Sequence, residues 1–429
     1  MPARAARYVI TILAALGAAV LPAATAQAAT PTTLFVDNGN SACSNSGPGS
    51  SATPFCTISA GAAKAVAGQT VQVAAGTYRE AVTAPRSGTA SAPITFSAAP
   101  GATVTVTGGV NGFKLSGKSY VTVRGFTVTK TSGAGILLSS SSHLTIDRND
   151  VSVAGQQVSG LTAKGISLSG TTASAITGNK THNNSDAGIG VTSASTGNTI
   201  SGNESFANAR GYSRAAAGID LRNSGSNTIS ANRLHDNEDS GLNVWTGSNG
   251  SLAVDNVIWH NGDHGVDVHS TNDTRLVANT VYKNYDSGIE MTGSLRTILA
   301  NNISVDNGIA SARTSGQVRT DATSAPSTVL DYDLLFLSVP TASKTVFIDW
   351  GGTKYTTLTA FRSATGQEAH GIQANPMFAN ASAFDLHLVA GSPAIDSGDN
   401  GANGEPATDA DGVARPLNGT VDRGAYEFH

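Results

Sequence analysis

One short phrase of alternating apolar and polar residues occurs three times between residues 237 and 292. It reads NEDSGLNVW from Asn237, NGDHGVDVH from Asn261 and NYDSGIEMT from Asn284, so its starts are 24 and then 23 residues apart. After each glycine, apolar side chains take every second position, which is the period of a β-strand. A fixed period in the low twenties indicates a solenoid, in which each repeat is one coil stacked on the last.

The landmark of this phrase, a glycine followed by an aliphatic residue, recurs through the middle of the chain. It occurs at Gly135, Gly165, Gly188, Gly218, Gly241, Gly265 and Gly288. Two of the gaps are 30 residues instead of 23 or 24, and they indicate insertions. Insertions in a solenoid form loops on one face, often the binding face, so the second insertion (208–218) is expected to bring Arg214 there.

Two series of asparagines follow the same period, and we interpret both as structural. Asparagine tolerates tight turns, and stacked amides hydrogen-bond from coil to coil. The first series is Asn149, Asn179, Asn203, Asn232, Asn256, Asn279 and Asn302. The second is Asn184, Asn208, Asn237, Asn261, Asn284 and Asn307.

The pattern predicts an all-β protein whose main part, residues 29–327, is a parallel β-helix. An open solenoid end exposes apolar interior, and a short amphipathic helix over 57–68 is expected to cap the N-terminal end. After about residue 311 the period fades. We expect residues 328–429 to form irregular strands, a short helix over 355–366 and a loop-rich tail that packs on the solenoid or closes it.

The first 28 residues have the pattern of a secretion signal. Two arginines precede an apolar run over 9–21, and Ala26-Gln27-Ala28 supplies a cleavage site of small residues. The run is too short for a membrane span, so we expect a secreted protein that is not bound to a membrane. Cys43 and Cys56 are the two cysteines of the chain, and in an exported protein they are expected to form a disulfide.

Composition narrows the function classes further. Only 13% of the 429 residues are charged, and the formal net charge is −4 without any basic stripe. This argues against nucleic-acid binding, which depends on clustered positive charge. Abundant glycine and few charges suit short strands joined by tight turns.

The repeats predict three outward columns of side chains, because equivalent positions of successive coils lie about 4.8 Å apart. Acids stacked this closely repel one another and contribute nothing to a scaffold, so we place the function in these columns. The first column is Asn243, Asp267 and Glu290, the second is Trp245, His269 and Thr292, and the third, before the glycine, is Asp239, Asp263 and Asp286.

The residues DHGVD from Asp263 to Asp267 resemble the D-D-G-x-D phrase of the ninth polysaccharide lyase family, the pectate-lyase-like enzymes. His264 replaces the second aspartate, and Asp239, 24 residues before Asp263, matches an aspartate that the family has one coil earlier. The resemblance implies a right-handed parallel β-helix that cleaves an acidic polysaccharide. It also implies a calcium ion, held by Asp239, Asp263, Asp267 and His264, that contacts a substrate carboxylate; carboxylate oxygens on adjacent coils suit that ion.

The catalytic base is less clearly marked. The family uses a lysine some coils after the calcium phrase, and this chain has none at the corresponding place, which leaves Lys283, Arg313 and His269 as candidates. Lys283 lies on the turn before its strand. His269 is on the outward face beside Asp267, and its reference pKa suits a base near neutrality. Asp267 and His269 are also similar to the D-x-H pair of the mannuronan epimerases, which have the same fold.

Outward residues near the acids are the expected substrate contacts. Trp245 suits stacking on a sugar ring, and Arg222 could either pair with Asp220 or clamp a substrate carboxylate through two hydrogen bonds. The full predicted set is Asp220, Arg222, Arg214, Trp245, Tyr285 and Glu290.

We therefore predict a secreted, monomeric, calcium-dependent lyase that acts on a uronate-containing polysaccharide. Two alternatives stay open. One is a hydrolase or uronate C5-epimerase on the same fold, with Asp220, Asp267 and Glu290 as general acid and base. The other is a non-catalytic carbohydrate-binding β-helix, in which the aspartates before the glycines simply cap turns.

Overall fold

Each coil of the chain consists of three short strands joined by bends, and the strands of successive coils pair in parallel. The computed structural model describes residues 33–155, 162–211, 216–311, 313, 316–339 and 346–429. The predicted secretion signal at residues 1–28 lies outside the described residues, as does Arg214. The predicted all-β parallel β-helix is confirmed.

Three parallel sheets run the length of the solenoid. The first sheet comprises Thr33–Val36, Thr70–Val73, Ile94–Ala98, Val121–Arg124, Thr145–Asp147, Ala175–Thr177, Thr199–Ser201, Thr228–Ser230, Leu252–Val254, Arg275–Val277, Ile298–Ala300 and Val329–Asp331. The second comprises Gly76–Tyr78, Val104–Thr107, Thr127–Thr129, Asp150–Ser152, Lys180–His182, Glu204–Phe206, Arg233–His235, Val257–Trp259, Thr280–Tyr282, Ile303–Val305 and Leu334–Phe336. The third comprises Val82–Thr83, Phe113–Ser116, Ile136–Ser139, Ile166–Ser169, Ile189–Thr192, Ile219–Arg222, Leu242–Trp245, Val266–His269, Ile289–Thr292, Val318–Thr320, Ile348–Trp350 and the antiparallel Thr353–Tyr355.

The remaining described elements lie near the two ends of the solenoid and in the tail. The α-helices are Ile58–Lys64 and Leu358–Thr365, and the 3-10 helices are Ala325–Ser327 and Ala381–Ala383. An antiparallel hairpin in the tail pairs Phe378–Asn380 with Asp385–Leu388.

The apolar half of the alternating pattern fills the interior. In the third sheet, Ile219, Leu242, Val266 and Ile289 stand in register on successive coils and are at most 1% exposed. This stacking is what the period-two pattern predicts for strands with one face in the core. The alternate positions of the same strands therefore point outward, where the predicted columns lie.

From Asn184 to Asn307, each bend that enters the third sheet combines a left-handed residue with a ladder asparagine. His260 and Lys283 have φ angles of 55° and 49°, and the asparagine after each, Asn261 or Asn284, is buried. Nδ2 of Asn261 donates to Oδ1 of Asn284 at 2.9 Å, so the amides join coil to coil as predicted. The third column of aspartates begins two residues after these asparagines, and the ladder fixes its stacking.

The glycine of the repeated phrase is required for close packing of coils. A Cβ at Gly265 would lie 2.3 Å from Cγ1 of Val281 and 2.6 Å from the carbonyl oxygen of Gly288. Any larger residue would push the bend away from the next coil and disturb the columns beside it.

Helices cover both ends of the core. The N-terminal helix begins at Ile58 but ends at Lys64, earlier than the predicted Gly68, and the Cys43–Cys56 disulfide is confirmed beside it. At the other end, Phe361 of the second helix is fully buried in the core. None of the helices in the described part of the chain is long and apolar enough to cross a membrane.

The tail packs along the outside of the coils. Leu386 and Tyr426 form a buried apolar cluster with Trp259 and Tyr282, whose side chains point outward from the second sheet. Strands of all three sheets continue beyond residue 327, so the last coil lies in the segment that the sequence pattern assigns to the C-terminal region.

Candidate active site

The outward face of the third sheet carries a column of polar residues in strict register. Asp220, Asn243, Asp267, Glu290 and Arg319 are paired neighbours on five successive coils. The register confirms the predicted alignment of Asn243, Asp267 and Glu290, and that of Trp245, His269 and Thr292 in the next column. Arg319 was not foreseen, because the repeat had faded before its coil.

The aspartates of the preceding bend also stack as predicted. The backbone N–H of Asp286 donates to the carbonyl of Asp263 at 2.8 Å, and that of Asp263 donates to the carbonyl of Asp239 at 3.2 Å. Asp239 and Asp286 are buried, and Asp263 is partly buried. We refer to Asp239, Asp263, Asp267, Asp286 and Glu290 together as the acid cluster.

Arg313 neutralises part of the acid cluster. Its guanidinium forms ion pairs with Asp263 and, at 2.5 Å, with Asp286. Partial burial lowers the pKa of Arg313, but the two carboxylates outweigh that effect and the pKa is raised. Arg313 is therefore a stable cation here. A base must first give up its proton, and the two carboxylates hold that proton on Arg313, which disfavours its predicted role as the base.

His264, predicted as a calcium ligand, is buried and bound within the acid cluster. Its Nε2 pairs with Glu290, whose other oxygen lies 3.2 Å from Nη1 of Arg319. Burial lowers the pKa of His264, but the hydrogen bond and charge of Glu290 outweigh it, so the pKa is raised. Burial raises the pKa of Glu290, and His264 with Arg319 reverses this, so the pKa is lowered. Both shifts favour the charged forms of the pair, and Nε2 of His264 is already bound to Glu290.

Arg222 and Trp245 form a strap between two carboxylates of the column. Nε of Arg222 donates to Asp220 at 2.8 Å, its guanidinium lies 4.2 Å from the centroid of the Trp245 ring, and Nε1 of Trp245 donates to Asp267 at 2.7 Å. Burial raises the pKa of Asp220, and it raises that of Asp267 to about 6. Of its two predicted roles, Arg222 takes the pairing with Asp220, and it covers one face of the Trp245 ring.

Asn243 lies between the two ends of this strap with its amide unsatisfied. The side chain is fully buried, and neither Nδ2 nor Oδ1 has a hydrogen-bond partner among the described residues. A buried amide without partners costs roughly 1–3 kcal/mol, so Asn243 is an exception to the usual pairing of buried polar groups.

The acid cluster also holds carboxylates without a cation. Asp239 accepts a long hydrogen bond of 3.5 Å from the Ser240 hydroxyl and forms no ion pair within the described part of the chain. Burial raises the pKa of Asp239, and the charge of Asp263 raises it further. If Asp239 only capped its turn, its carboxylate would accept a hydrogen bond from a backbone N–H. The described residues supply no such hydrogen bond to Asp239.

The family resemblance implies a calcium ion, whose ligands would come from the acid cluster and the residues beside it. Asp263, His264 and Asp286 have ligand atoms within 4.8 Å of one another, the one such group of three among the described residues. Arg313 already binds two of these, and Nε2 of His264 is bound to Glu290. The hard oxygens left without a cation are those of Asp239 and Asp267, beside the unpartnered amide of Asn243. Arg313 pairs with Oδ1 of Asp263, so the second oxygen of Asp263 adds to these. Carboxylate oxygens are the ligand type that calcium prefers, whereas His264 does not fit as a ligand.

The three candidate bases are placed differently. His269 is exposed on the third sheet, with its ring 5.9 Å from that of Trp245. Lys283 belongs to the bend after the second sheet, where Nζ lies 5.0 Å from the centroid of the Tyr282 ring, so the structure directs it away from the acid cluster. Arg313 lies within the cluster as a paired cation.

Lys164 is one further cation of this face, and the sequence pattern did not indicate it. Lys164 lies across Gly190, because a Cβ at that glycine would fall 2.1 Å from Cδ of the lysine, and Nζ pairs with Asp186 at 3.0 Å. The signal for it was the glycine, which occupies an outward position of the column and leaves room for a neighbouring side chain. Tyr285, a predicted substrate contact, is 44% exposed on the bend before Asp286.

The chain matches one family by sequence. Residues 38–308, well over half of the 429 residues, match the family described as "Pel9A-like, right handed beta helix region". This match agrees with the right-handed winding that the sequence led us to expect. By sequence, no curated protein matches the chain.

Several solved structures have the same architecture. The crystal structure of pectate lyase Pel9A has 15% sequence identity and a TM-score of 0.59, over 93% of this chain and 97% of that one. The complex of XylC with xylose has 13% identity and a TM-score of 0.61, over 92% and 98% of the two chains. The A-module of the Azotobacter vinelandii mannuronan C-5 epimerase AlgE4 has 17% identity and a TM-score of 0.52, over 66% and 82%. At these identities the likeness establishes the fold.

Proposed function

This chain belongs to the Pel9A-like right-handed β-helix family, and on that premise we propose that it is a calcium-assisted lyase of a uronate-containing polysaccharide. The observation that carries the proposal is the acid cluster, where Asp239 and Asp267 lack a cation beside the unpartnered amide of Asn243. The family includes a protein described as a pectate lyase, which acts on such a polymer.

The proposed reaction is a β-elimination. A base takes the proton from C5 of a uronate unit, the electron pair of that C–H bond forms the C4=C5 double bond, and the bond from C4 to the linking oxygen breaks. The leaving oxygen then takes up a proton. The negative charge that develops on the C5 side spreads into the carboxylate, so the site has to stabilise that carboxylate.

Asp239, Asp263 and Asp267 are the residues that would hold calcium. When bound, the ion supplies positive charge to the substrate carboxylate, which makes the C5 proton more acidic. Arg313 keeps Asp263 in place through its ion pair, and Trp245 orients Asp267 through the 2.7 Å hydrogen bond. Both contacts fix the direction of carboxylate oxygens before any ligand enters.

His269 is the residue that we assign as the base. It is exposed on the outward face of the third sheet, two residues after Asp267, and its ring lies 5.9 Å from that of Trp245. A neutral imidazole accepts a proton near neutral pH, and the adjacent carboxylate of Asp267 stabilises the imidazolium that results. The exposed face of the Trp245 ring is suited to stack on a sugar, and Arg222 is close enough to exchange Asp220 for a substrate carboxylate.

We also propose that the protein acts outside the cell as a secreted enzyme. The Cys43–Cys56 disulfide favours an oxidising compartment, as does the leader pattern of residues 1–28. A long polysaccharide as substrate agrees with this location, because an exported enzyme encounters such polymers outside the cell.

Epimerisation at C5 is the second candidate, because Asp267 and His269 occupy adjacent outward positions on one strand. An epimerase removes the same C5 proton but returns a proton to the other face, with no bond to C4 broken. The solved neighbour from Azotobacter vinelandii is described as such an enzyme.

The test is incubation of the purified protein with pectate, alginate and glycosaminoglycans, with and without calcium. β-Elimination would produce the ultraviolet absorbance of the unsaturated uronide, and we expect this signal to need calcium. Asp263→Ala should reduce the rate at least about 100-fold, since it removes a ligand and an orienting partner together. Asp273→Ala, which removes an exposed aspartate in the bend before the first-sheet strand Arg275–Val277, is the matched control and should retain the rate.

The other outcomes separate the alternatives. New reducing ends without the unsaturated product would show hydrolysis. Deuterium uptake at C5 without cleavage, measured by NMR in heavy water, would show epimerisation. Binding without any of these products would show a carbohydrate-binding protein, and each result would overturn the lyase proposal.

A further inference from the structure

A cavity adjoins the acid cluster on its C-terminal side, over the last coils of the third sheet. It has a volume of about 270 Å³ and is lined by residues of the last coils, among them Glu290, Thr292, Arg319, Asp321 and Asp349. Its size lies just below the range of about 300–1,000 Å³ that is usual for ligand pockets. Glu290 belongs both to the acid cluster and to this cavity, so the two are continuous.

An unsatisfied carboxylate oxygen lies in the wall of the cavity. Asp349 is 7% exposed, and its Oδ1 has no hydrogen-bond partner among the described residues. Asp349 follows Arg319 in the outward column, on the next coil. A buried carboxylate oxygen without a donor is costly, and a hydroxyl group of a ligand would satisfy it.

Arg319 gives the same cavity a positive charge. Its Nη1 lies 3.2 Å from Oε1 of Glu290, while about a third of the side chain is exposed. The guanidinium has five N–H donors in a planar fork, so one ion pair at this distance leaves donors for a second acceptor. The structure thus puts a donor for a carboxylate next to an acceptor for a hydroxyl.

Asp321 lines the cavity, but it is not a group that would bind a ligand. Its oxygens accept from the backbone N–H groups of Gly293 at 3.1 Å and Ser324 at 2.8 Å. These hydrogen bonds lower its pKa against the effect of burial and fix the bend after the strand. Asp349 differs, because its Oδ1 has no hydrogen-bond donor among the described residues.

We propose that this cavity is a sugar subsite that binds one uronate unit adjacent to the unit that reacts. The carboxylate of that unit pairs with Arg319, and one of its hydroxyl groups donates to Oδ1 of Asp349. Glu290, which belongs both to the acid cluster and to the subsite, marks the boundary of the two units. This inference rests on the proposed function, because it takes the substrate to be a uronate polymer.

The subsite is tested by the dependence of kinetics on substrate length. Uronate oligosaccharides that differ by one unit are compared, and the longer one should have a higher kcat/KM when its extra unit fills the subsite. Arg319→Gln and Asp349→Asn should each reduce that gain by about tenfold, which corresponds to roughly 1.4 kcal/mol. Arg319→Lys keeps the charge beside Glu290 but loses the planar fork, so it should restore only part of the gain.

Arg296→Gln is the control, since Arg296 forms an exposed ion pair with Asp273 on the first sheet. It should leave the gain unchanged, and thermal unfolding of all four variants identifies any that lose the fold. If the wild-type enzyme cleaves uronate polymers but every variant keeps the full gain from the extra unit, the subsite is refuted and the proposed function stands.

A different measurement applies if the wild-type protein cleaves none of these polymers. The oligosaccharides are then titrated into the protein by calorimetry. Binding that Arg319→Gln weakens about tenfold would support the subsite even though the lyase proposal has failed. Absence of binding, or equal binding by wild type and variant, would overturn the subsite as well.

Discussion

Asp255 is a carboxyl group whose proton affinity is set by its surroundings within the fold. It lies in the bend between the first and second sheets, 3.6 Å from Nη1 of the fully buried Arg415. Glu405 and Glu427 pair with the same guanidinium, so three carboxyl groups compete for one positive charge. Burial therefore dominates and raises the pKa of Asp255 to about 8.

This raised pKa predicts a specific pH dependence of stability. Between its ordinary value of 3.8 and about 8, Asp255 keeps a proton in the folded state that the unfolded chain has released. Rising pH then favours unfolding, and from pH 5 to pH 8 this group should cost on the order of 2–4 kcal/mol. Asp255→Asn is neutral at every pH, so its free energy of unfolding should fall less over this range.

Denaturant unfolding at both pH values measures this difference. Asp273→Asn is the control, because the exposed Asp273 has a lowered pKa and does not titrate above pH 5. Parallel pH profiles for the wild type and Asp255→Asn would show that Asp255 is ionised in the folded protein, against the prediction.

Also at the scale of residues, the sequence predicted which site residues share a column but not which of them form ion pairs. Register follows from the period of two and the repeat length, so Asn243, Asp267 and Glu290 could be aligned in advance. Arg313 approaches Asp263 from 50 residues further along the chain, through a stretch that carries no repeat. A segment without a repeat gives no periodic signal from which its path can be predicted, and Arg319 was not predicted for the same reason.

At the scale of elements, strand positions followed from the pattern, while the ends of helices were decided by packing. The N-terminal helix was expected to reach Gly68, yet Ala65 takes a ψ of 134° and ends it. The chain has to return at once to the strand Thr70–Val73, and that requirement overrides the helix propensity of the alanines. Strands that lack the alternation of apolar and polar residues were also informative. Val257–Trp259 and Thr280–Tyr282 are buried on both faces, because the tail covers their outer face.

The C-terminal helix acts as the cap of the solenoid core, which makes one of its residues a sharp test. Phe361 is fully buried and contacts the rings of Trp350 and Tyr355 edge-on, at 5.3 Å and 5.4 Å between centroids. Phe361→Ala should lower the free energy of unfolding by about 3–5 kcal/mol through lost burial and the cavity left behind. Equilibrium denaturation of the variant measures this loss.

Ser363→Ala provides the matched control on the same helix. Ser363 is exposed, so its replacement should change stability by no more than about 0.5 kcal/mol. Should Phe361→Ala cost as little as Ser363→Ala, the helix would not be a cap, and the end of the solenoid would be held by other contacts.

At the scale of the whole molecule, the three sheets have different outer surfaces. The tail covers the second sheet at its C-terminal coils and part of the first sheet, where Ala402 packs against Leu252 and Val277. The third sheet carries the acid cluster on its outer face. Apolar outward side chains thus hold the tail against the solenoid, and polar outward side chains form the candidate active site.

A solenoid of this kind should respond locally when one part is removed, because each coil contacts only its neighbours. A chain that ends at residue 374 lacks the part of the tail that buries Trp259, Tyr282 and Val305. We expect faster amide hydrogen exchange in those strands and stronger binding of a hydrophobic dye. Exchange in the N-terminal coils, such as Thr127–Thr129, should stay as in the full chain.

Reduction of the Cys43–Cys56 disulfide supplies the mirror experiment at the other end. Its loop lies next to the first strands, so exchange should rise in Thr33–Val36 and Thr70–Val73 and stay unchanged in Thr280–Tyr282. Two local responses at opposite ends would establish that the coils are stabilised by nearest neighbours. If either change instead accelerated exchange along the whole chain, the solenoid would be a single cooperative unit, and a distant substitution could then disturb the acid cluster as readily as one beside it.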